Sequence, residues 1–289
     1  MTAVSAKYWN DPTAVAILAE LNAAAAKLGI RYCVVGATAR DLVMYGVYGL
    51  AVPSATRDID FAVGVDDWAT YEQLRAVLVD TGNFEVGGDV QHLVRYRAGG
   101  GYPLDLIPFG GVTDEREQLH WPPRADPVMN LVGYRDVVAN ALLLELPGGV
   151  TASVASIPGF VLLKLFAWSD RWSTTRRDVG DVAYVMREYQ SIPSVFDRLY
   201  GHRHELLETA DDVLEVAAIM LLGEDVRSMA SPDTVRALTA LLSDDKLRQR
   251  LCTHMEAADA LGGYRVDAEA ALEWFARGLS GAAGATPDT

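Results

Sequence analysis

The stretch ATRDIDFAV, residues 55–63, sets two acids into an otherwise apolar run. It reads as a buried β-strand, in which successive side chains alternate between faces. Asp58 and Asp60 therefore share one face, while Ile59 and Phe61 take the other. Two carboxylates so close together repel each other and resist burial. A divalent cation is the simplest neutraliser. The plainer alternative is an edge strand with solvated acids and Arg57 as their partner, and the apolar flanks Ile59, Phe61, Ala62 and Val63 argue against it.

A second stretch repeats the pattern. In GYPLDLIPFG, residues 101–110, Asp105 interrupts another apolar strand. If that strand pairs beside Asp58 and Asp60, three carboxylates converge. With substrate phosphates they form the usual oxygen environment for one or two Mg²⁺ ions. Alone, Asp105 is an ordinary strand-edge acid.

Upstream, RYCVVGATARDLVMYG, residues 31–46, reads as a strand that meets a helix through a glycine turn. The amides of Gly36, Ala37 and Thr38 would face whatever lies beyond the strand end, an arrangement that favours phosphate. The Thr38 hydroxyl adds a donor. An ordinary connection with Thr38 as a cap explains the same residues. It is not a dinucleotide fingerprint, because Thr38 and Asp41 stand where GxGxxG needs glycines, and GxxxxGK[ST] occurs nowhere.

Downstream, PGFVLLKLFAWSDRW and RRDVGDVAYVMREY read as two helices. Lys164 is the only lysine between Lys27 and Lys246, and Arg171 follows two turns later on roughly the same face. Asp178 and Asp181 share a face of the next helix. A snorkelling lysine and helix-surface acids are the plain reading. Lys164 and Arg171 aimed at a triphosphate and held by the two acids is the functional one.

The remaining sequence sets limits. Helical spacing predicts a helix from Asp11 to Gly29 and another over 66–80, and strands are expected at 32–35, 92–97 and 102–108. A hairpin is expected around 147–149. Strand signals fade after Pro158, which places a boundary near Ser156 and gives regions 1–156 and 157–289. No apolar run among the 289 residues approaches the ~18 needed to span a membrane. The start lacks the basic and apolar blocks of a signal peptide. Cys33 and Cys252 fit no disulfide or metal pattern. These features point to a cytoplasmic protein without a membrane partner. A net charge of −14 argues against an extended nucleic-acid face but allows a local basic site, for which Arg171, Arg176 and Arg177 are candidates.

Taken in order, VVGATARDL, TRDIDFAV, LDLIPFG and LLKLFAWSDRW…RRDVGDVAYV resemble the AbiEii/AbiGii toxin family, MenT-like members of the DNA polymerase β nucleotidyltransferase superfamily. The resemblance implies an α+β fold: a polymerase-β-type nucleotidyltransferase core with a mixed sheet flanked by helices over 1–156, then a helical domain over 157–289 that completes the active-site cleft. It implies Asp58 and Asp60 as metal-binding residues, with Asp105 in the place of the third acid, as ligand or base. Thr56 matches the hydroxyl residue before the DxD, and Lys164, Asp178 and Asp181 match the KLxAxxxR and KDxxD segments. Gly36, Ala37, Thr38, Arg40, Thr56, Lys164 and Arg171 are then the phosphate-binding set. Gly36-Ala37-Thr38 departs from the usual Gly-Ser, and Arg177 stands where lysine is common. The implied cofactor is Mg²⁺ or Mn²⁺, the substrate an NTP, the acceptor a tRNA 3′ end, and the partner a neutralising antitoxin. A small-molecule, antibiotic-type nucleotidyltransferase is the second reading, since an acidic surface suits a cationic acceptor. A non-catalytic nucleotide-binding homologue is the third.

Overall fold

The computed structural model describes residues 1–5, 7–53, 58–88, 91–123, 128–258 and 266–281. Thr56 and Arg57 lie outside them, as do the first residues of the ATRDIDFAV run and the last eight of the chain. The chain divides into two compact units, Met1–Ser156 and Ile157–Thr289. Each is described by itself.

The first unit alternates strands and helices. After β1 (Thr2–Ala3) comes α1 (Pro12–Leu28), whose N-cap Asp11 accepts from the amides of Thr13 and Ala14. Pro12 at the first turn costs no hydrogen bond, and Gly29 ends the helix in the left-handed region. Next are β2 (Arg31–Val35) and α2 (Gly36–Arg40), and the helix runs on as a π-helical segment, Asp41–Val47. β3 (Ile59–Val65) and α3 (Trp68–Asp80) follow, with Asp67 as N-cap. The unit continues through β4 (Phe84–Val86), β5 (Leu93–Tyr96), the single turn α4 (Ala98–Gly101) and β6 (Tyr102–Gly110). β7 (Gln118–His120), β8 (Val128–Asn130), α5 (Tyr134–Ala139), β9 (Leu142–Glu145) and β10 (Thr151–Val154) complete it.

Among the described residues, eight strands form one mixed sheet in the order β1-β9-β10-β2-β3-β6-β5-β4. β3 and β6 run parallel, with Asp60 opposite Asp105. β2 runs antiparallel to β3, with Val35 opposite Asp60. The apolar runs behave as read: Ile59, Phe61, Ala62, Val63, Leu104 and Leu106 are fully buried. Burial on both faces explains why β3 and the end of β6 are near-continuous hydrophobic runs rather than alternating ones. α1 and α3 pack on each other, α3 also on β3 and α1 on β10.

Two expectations shift. The strand read over 55–63 begins only at Ile59, so Asp58 sits on the residue before it. The helix expected to follow the glycine turn starts on Gly36 itself. The hairpin at 147–149 and the β5–β6 hairpin form as expected, whereas β4, β7 and β8 are too short to have left a period in the sequence.

The second unit is helical throughout its described residues. It comprises α6 (Ile157–Arg171), α7 (Arg177–Glu188), α8 (Pro193–Tyr200) and α9 (His204–Thr209). α10 (Leu214–Met229), α11 (Pro232–Ser243), α12 (Asp245–Ala257) and α13 (Ala268–Ser280) follow. Ser231, Asp244 and Asp267 cap the last three. α10 crosses α13 at close range: a Cβ at Gly223 or Gly278 would collide with the backbone of the facing helix. Among the described residues no helix is long and apolar enough to cross a membrane.

Candidate active site

Asp60 on β3 faces Asp105 on β6, and Asp58 stands on the residue before β3. Parallel register puts Asp60 and Asp105 side by side on the same face of neighbouring strands. Asp58 precedes β3 and is exposed, while Asp60 is half-buried. The Asp105 side chain is 31% exposed and its Oδ1 lies 3.9 Å from His92 Nε2. Burial pushes the Asp105 carboxyl above the ordinary carboxylate range, His92 pulls it back, and the Asp58 charge pushes it up further. Asp58 thus lies close enough to Asp105 to repel it.

The glycine turn is built around this cluster. Gly36 has φ +66°, a conformation that only glycine takes at little cost, and a Cβ there would run into Asp60 Oδ2. The carboxylate of Asp60 therefore occupies the space that any other residue at position 36 would fill. No side chain caps the helix that Gly36 opens, and half-buried Ala37 sits in its first turn. The Thr38 hydroxyl, expected to point at phosphate, instead donates to the Asp58 carbonyl oxygen at 2.7 Å. Its proton is committed to holding the backbone of Asp58. Arg40 is 1% exposed. Its Nε donates to Asp41 Oδ1 at 2.8 Å, so this guanidinium is a buried structural group rather than a surface phosphate donor.

Two further groups adjoin the acids. Tyr102 Oη donates to Asp11 Oδ2 at 3.3 Å. Burial raises its phenol, and the charges of Asp11, Asp58 and Asp41 raise it more. The ring of His92 lies 5.6 Å from that of Trp121, which also meets Trp68 and Tyr71. Sequence reasoning passed over His92 because histidine spacing carries no signal for a lone residue. The β5–β6 pairing, with Leu93 opposite Asp105, is what brings it near.

Does the donor set suit a divalent cation? Carboxylate oxygens from Asp58 and Asp60 are the hard ligands that Mg²⁺ and Mn²⁺ prefer. Yet no group of three or more His, Cys, Asp or Glu among the described residues is arranged to hold a metal ion. Asp105, set opposite Asp60 by the strand register, also faces His92 at 3.9 Å. The chemistry fits a cation held by the DxD pair with phosphate and water oxygens, and does not fit a closed protein cage.

Lys164, Arg171, Asp178 and Asp181 form a separate network in the second unit. Lys164 Nζ lies 3.0 Å from Asp178 Oδ1 and 2.8 Å from Asp181 Oδ2. Arg171 grips Asp178 with two bonds, Nε to Oδ2 at 2.7 Å and NH2 to Oδ1 at 2.8 Å. The 14-residue separation of Lys164 from Asp178 is spanned because α6 and α7 pack together. Burial pushes Asp178 up, but Arg171 and Lys164 outweigh it and hold the carboxyl below its ordinary range. Burial would lower Lys164, but Asp181 and Asp178 hold the ammonium above its ordinary value. On α9 and the turn before it, His202 and His204 are exposed, and Arg203 between them bonds Glu205 and Glu224.

The family model for the nucleotidyl transferase AbiEii toxin of type IV toxin–antitoxin systems matches residues 25–268. The chain belongs to the AbiEii nucleotidyltransferase toxin family. It is a nucleotidyltransferase. A comparison with the curated proteins finds no match. Among solved structures, it is similar to the antibiotic-resistance factor ANT(2'')-Ia at 17% identity and a TM-score of 0.34, covering 56% of this chain and 75% of that one. It is also similar to a CCA-adding enzyme in complex with ATP at 14% identity and a TM-score of 0.26, covering 95% of this chain and 82% of that one. At these TM-scores the likenesses say nothing further about the transferase.

Proposed function

We propose that this transferase moves NMP from an NTP to the 3′-hydroxyl of a tRNA, as the toxin of a pair whose antitoxin neutralises it. The observation that carries the reading is the register of β3 on β6, which sets Asp105 beside Asp60, with Asp58 two residues before. In this reading Asp58 and Asp60 hold Mg²⁺ or Mn²⁺. When bound, the cation supplies charge neutralisation on the triphosphate. Asp60 is placed by Gly36, and the backbone of Asp58 by Thr38. Asp105 is the proposed proton acceptor: a carboxyl held above the ordinary carboxylate range takes a hydroxyl proton more readily than an ordinary aspartate. As the proton leaves, the acceptor oxygen bonds to the α-phosphorus and pyrophosphate departs with the bond it breaks. Catalysis then comes mainly from positioning and charge.

The amides of Gly36 and Ala37 are the proposed phosphate donors at the turn. Thr56 keeps the role that its motif position suggests. Lys164 also keeps the role that its motif position suggests, with its ammonium held by Asp178 and Asp181. Incubation of the purified protein with each of the four α-labelled NTPs, total tRNA and Mg²⁺ or Mn²⁺ tests the reading. Label on RNA is the expected result. Label on an aminoglycoside and not on RNA replaces it with the small-molecule reading, and label on neither removes both.

A further inference from the structure

With Lys164 and Arg171 facing Asp178 and Asp181, much of the positive charge expected to meet phosphate is spent inside the second unit. Three other arginines there are different. Arg176 and Arg177 are exposed where α6 passes into α7, and Arg250 is half-buried on α12. Among the described residues no acid pairs with any of the three side chains. Arg250 sits over Trp172, with its guanidinium carbon 3.6 Å from the ring centroid. Between these elements sits His254, 9% exposed, whose Nδ1 accepts from Trp168 Nε1 at 3.1 Å. Burial first, then the charges of Arg176 and Arg250, hold this imidazole below its ordinary value. α7 packs on both α6 and α12, and the Arg250–Trp172 contact ties α12 to the residue after α6, so the α6–α7 turn that carries Arg176 and Arg177 adjoins α12.

A guanidinium stacked on an indole is immobilised without using its N–H donors, which remain available in the ring plane for phosphate oxygens. An arginine stacked on an aromatic ring, with further arginines on the turn beside it, is a combination that suits a nucleic-acid backbone. In a chain of net charge −14, a cluster of arginines without acid partners is a poor choice for the surface at large and a suitable one for a polyanion. An acidic protein would be met by the charges, but the Trp172 platform would add nothing to it.

We propose that Arg176, Arg177 and Arg250, with Trp172, form a docking face for the phosphate backbone of the single-stranded acceptor RNA. This rests on the RNA reading above, but it is measured by binding, without chemistry. The probe is a fluorescein-labelled single-stranded RNA of about 12 nucleotides, within the span such surfaces cover. Its anisotropy is followed across a salt series with the full chain, with Arg176→Ala/Arg177→Ala, and with Arg250→Ala. ATP is titrated in parallel, and poly-glutamate serves as a competitor. The double variant is expected to bind RNA at least tenfold more weakly, with a salt slope shallower by about 0.7 for each phosphate that it no longer neutralises. Arg250→Ala is expected to act in the same direction, and ATP affinity to fall less than RNA affinity.

Unchanged RNA affinity in both variants overturns the proposal. So does an equal loss for ATP, or displacement of RNA by poly-glutamate at matched charge, which would make the face a protein-binding one. RNA that is labelled in the transfer assay but binds independently of the three arginines overturns this inference alone. Binding through the arginines with no label transfer leaves it standing and removes the proposed reaction.

Discussion

Asp105 and Asp178 are the same residue type, both mostly withdrawn from water, and their carboxyls move in opposite directions. Asp105 is raised: it is largely buried beside another carboxylate, and it lies 3.9 Å from His92. Asp178 is lowered: Lys164 and Arg171 both bond it. Burial pushes both upward, so the neighbours decide. A site where acids are set against acids waits for a cation or a proton. A site where acids are matched by bases holds its own structure together. The first unit carries the former and the second unit the latter.

Substitutions should separate the two. Asp60→Asn removes a proposed metal ligand and should lower NMP transfer at least ~10³-fold, the scale expected when charge stabilisation of a transferring phosphoryl group is lost. Urea unfolding should be nearly unchanged, because the carboxylate supports chemistry more than packing. Asp178→Ala should do the reverse first. It leaves a largely buried lysine with one acid fewer, at a cost of about 3 kcal/mol in unfolding free energy from urea titration, toward the low end for buried pairs because Arg171 is half in water.

The pH dependence follows. The folded pKa of Asp178 lies below its unfolded value of about 4, so its stabilisation is complete above that pH and is lost as pH falls through the folded value. Lys164 is raised, so its contribution is complete below about pH 10.4 and disappears as pH rises through the folded value. A urea midpoint flat across neutral pH and falling at both ends is expected. The gap between wild type and Asp178→Asn should close in acid.

Gly36→Ala probes the join between fold and chemistry. The residue must hold φ +66° and make room for Asp60 Oδ2. A loss of about 100-fold in transfer is expected from the displaced carboxylate, against a stability cost of only about 1 kcal/mol for the backbone. Thr38→Val is the mildest. It removes one hydrogen bond to the Asp58 carbonyl, worth about 1 kcal/mol, and should lower transfer roughly tenfold. If Thr38→Val affected KM for NTP alone, the hydroxyl would be a phosphate donor after all.

The legible parts of the sequence were those with local causes. Asp11, Pro12 and Gly29 bracket α1 because capping acts within a turn. The pairing of Asp60 with Asp105 could be posed from two interrupted apolar runs, since period two fixes which side chains share a face. What stayed hidden depends on tertiary placement. Arg40 looked like a phosphate donor by proximity to the glycine turn, but helix direction carries it inward onto Asp41. Thr38 lies 20 residues from the carbonyl it binds. Arg250 on Trp172 and His254 on Trp168 join α12 to the region around α6, and no motif marks either pair.

The central claim is that Asp58 and Asp60 support nucleotidyl transfer rather than hydrolysis or simple binding. Its most direct test is to count pyrophosphate released against NMP incorporated into RNA, with Mg²⁺ present, for wild type and Asp60→Asn. Equal amounts of the two products are expected in wild type, none of either after chelation, and near-complete loss of both in Asp60→Asn. Orthophosphate in place of pyrophosphate, or equal transfer by Asp60→Asn, would contradict it.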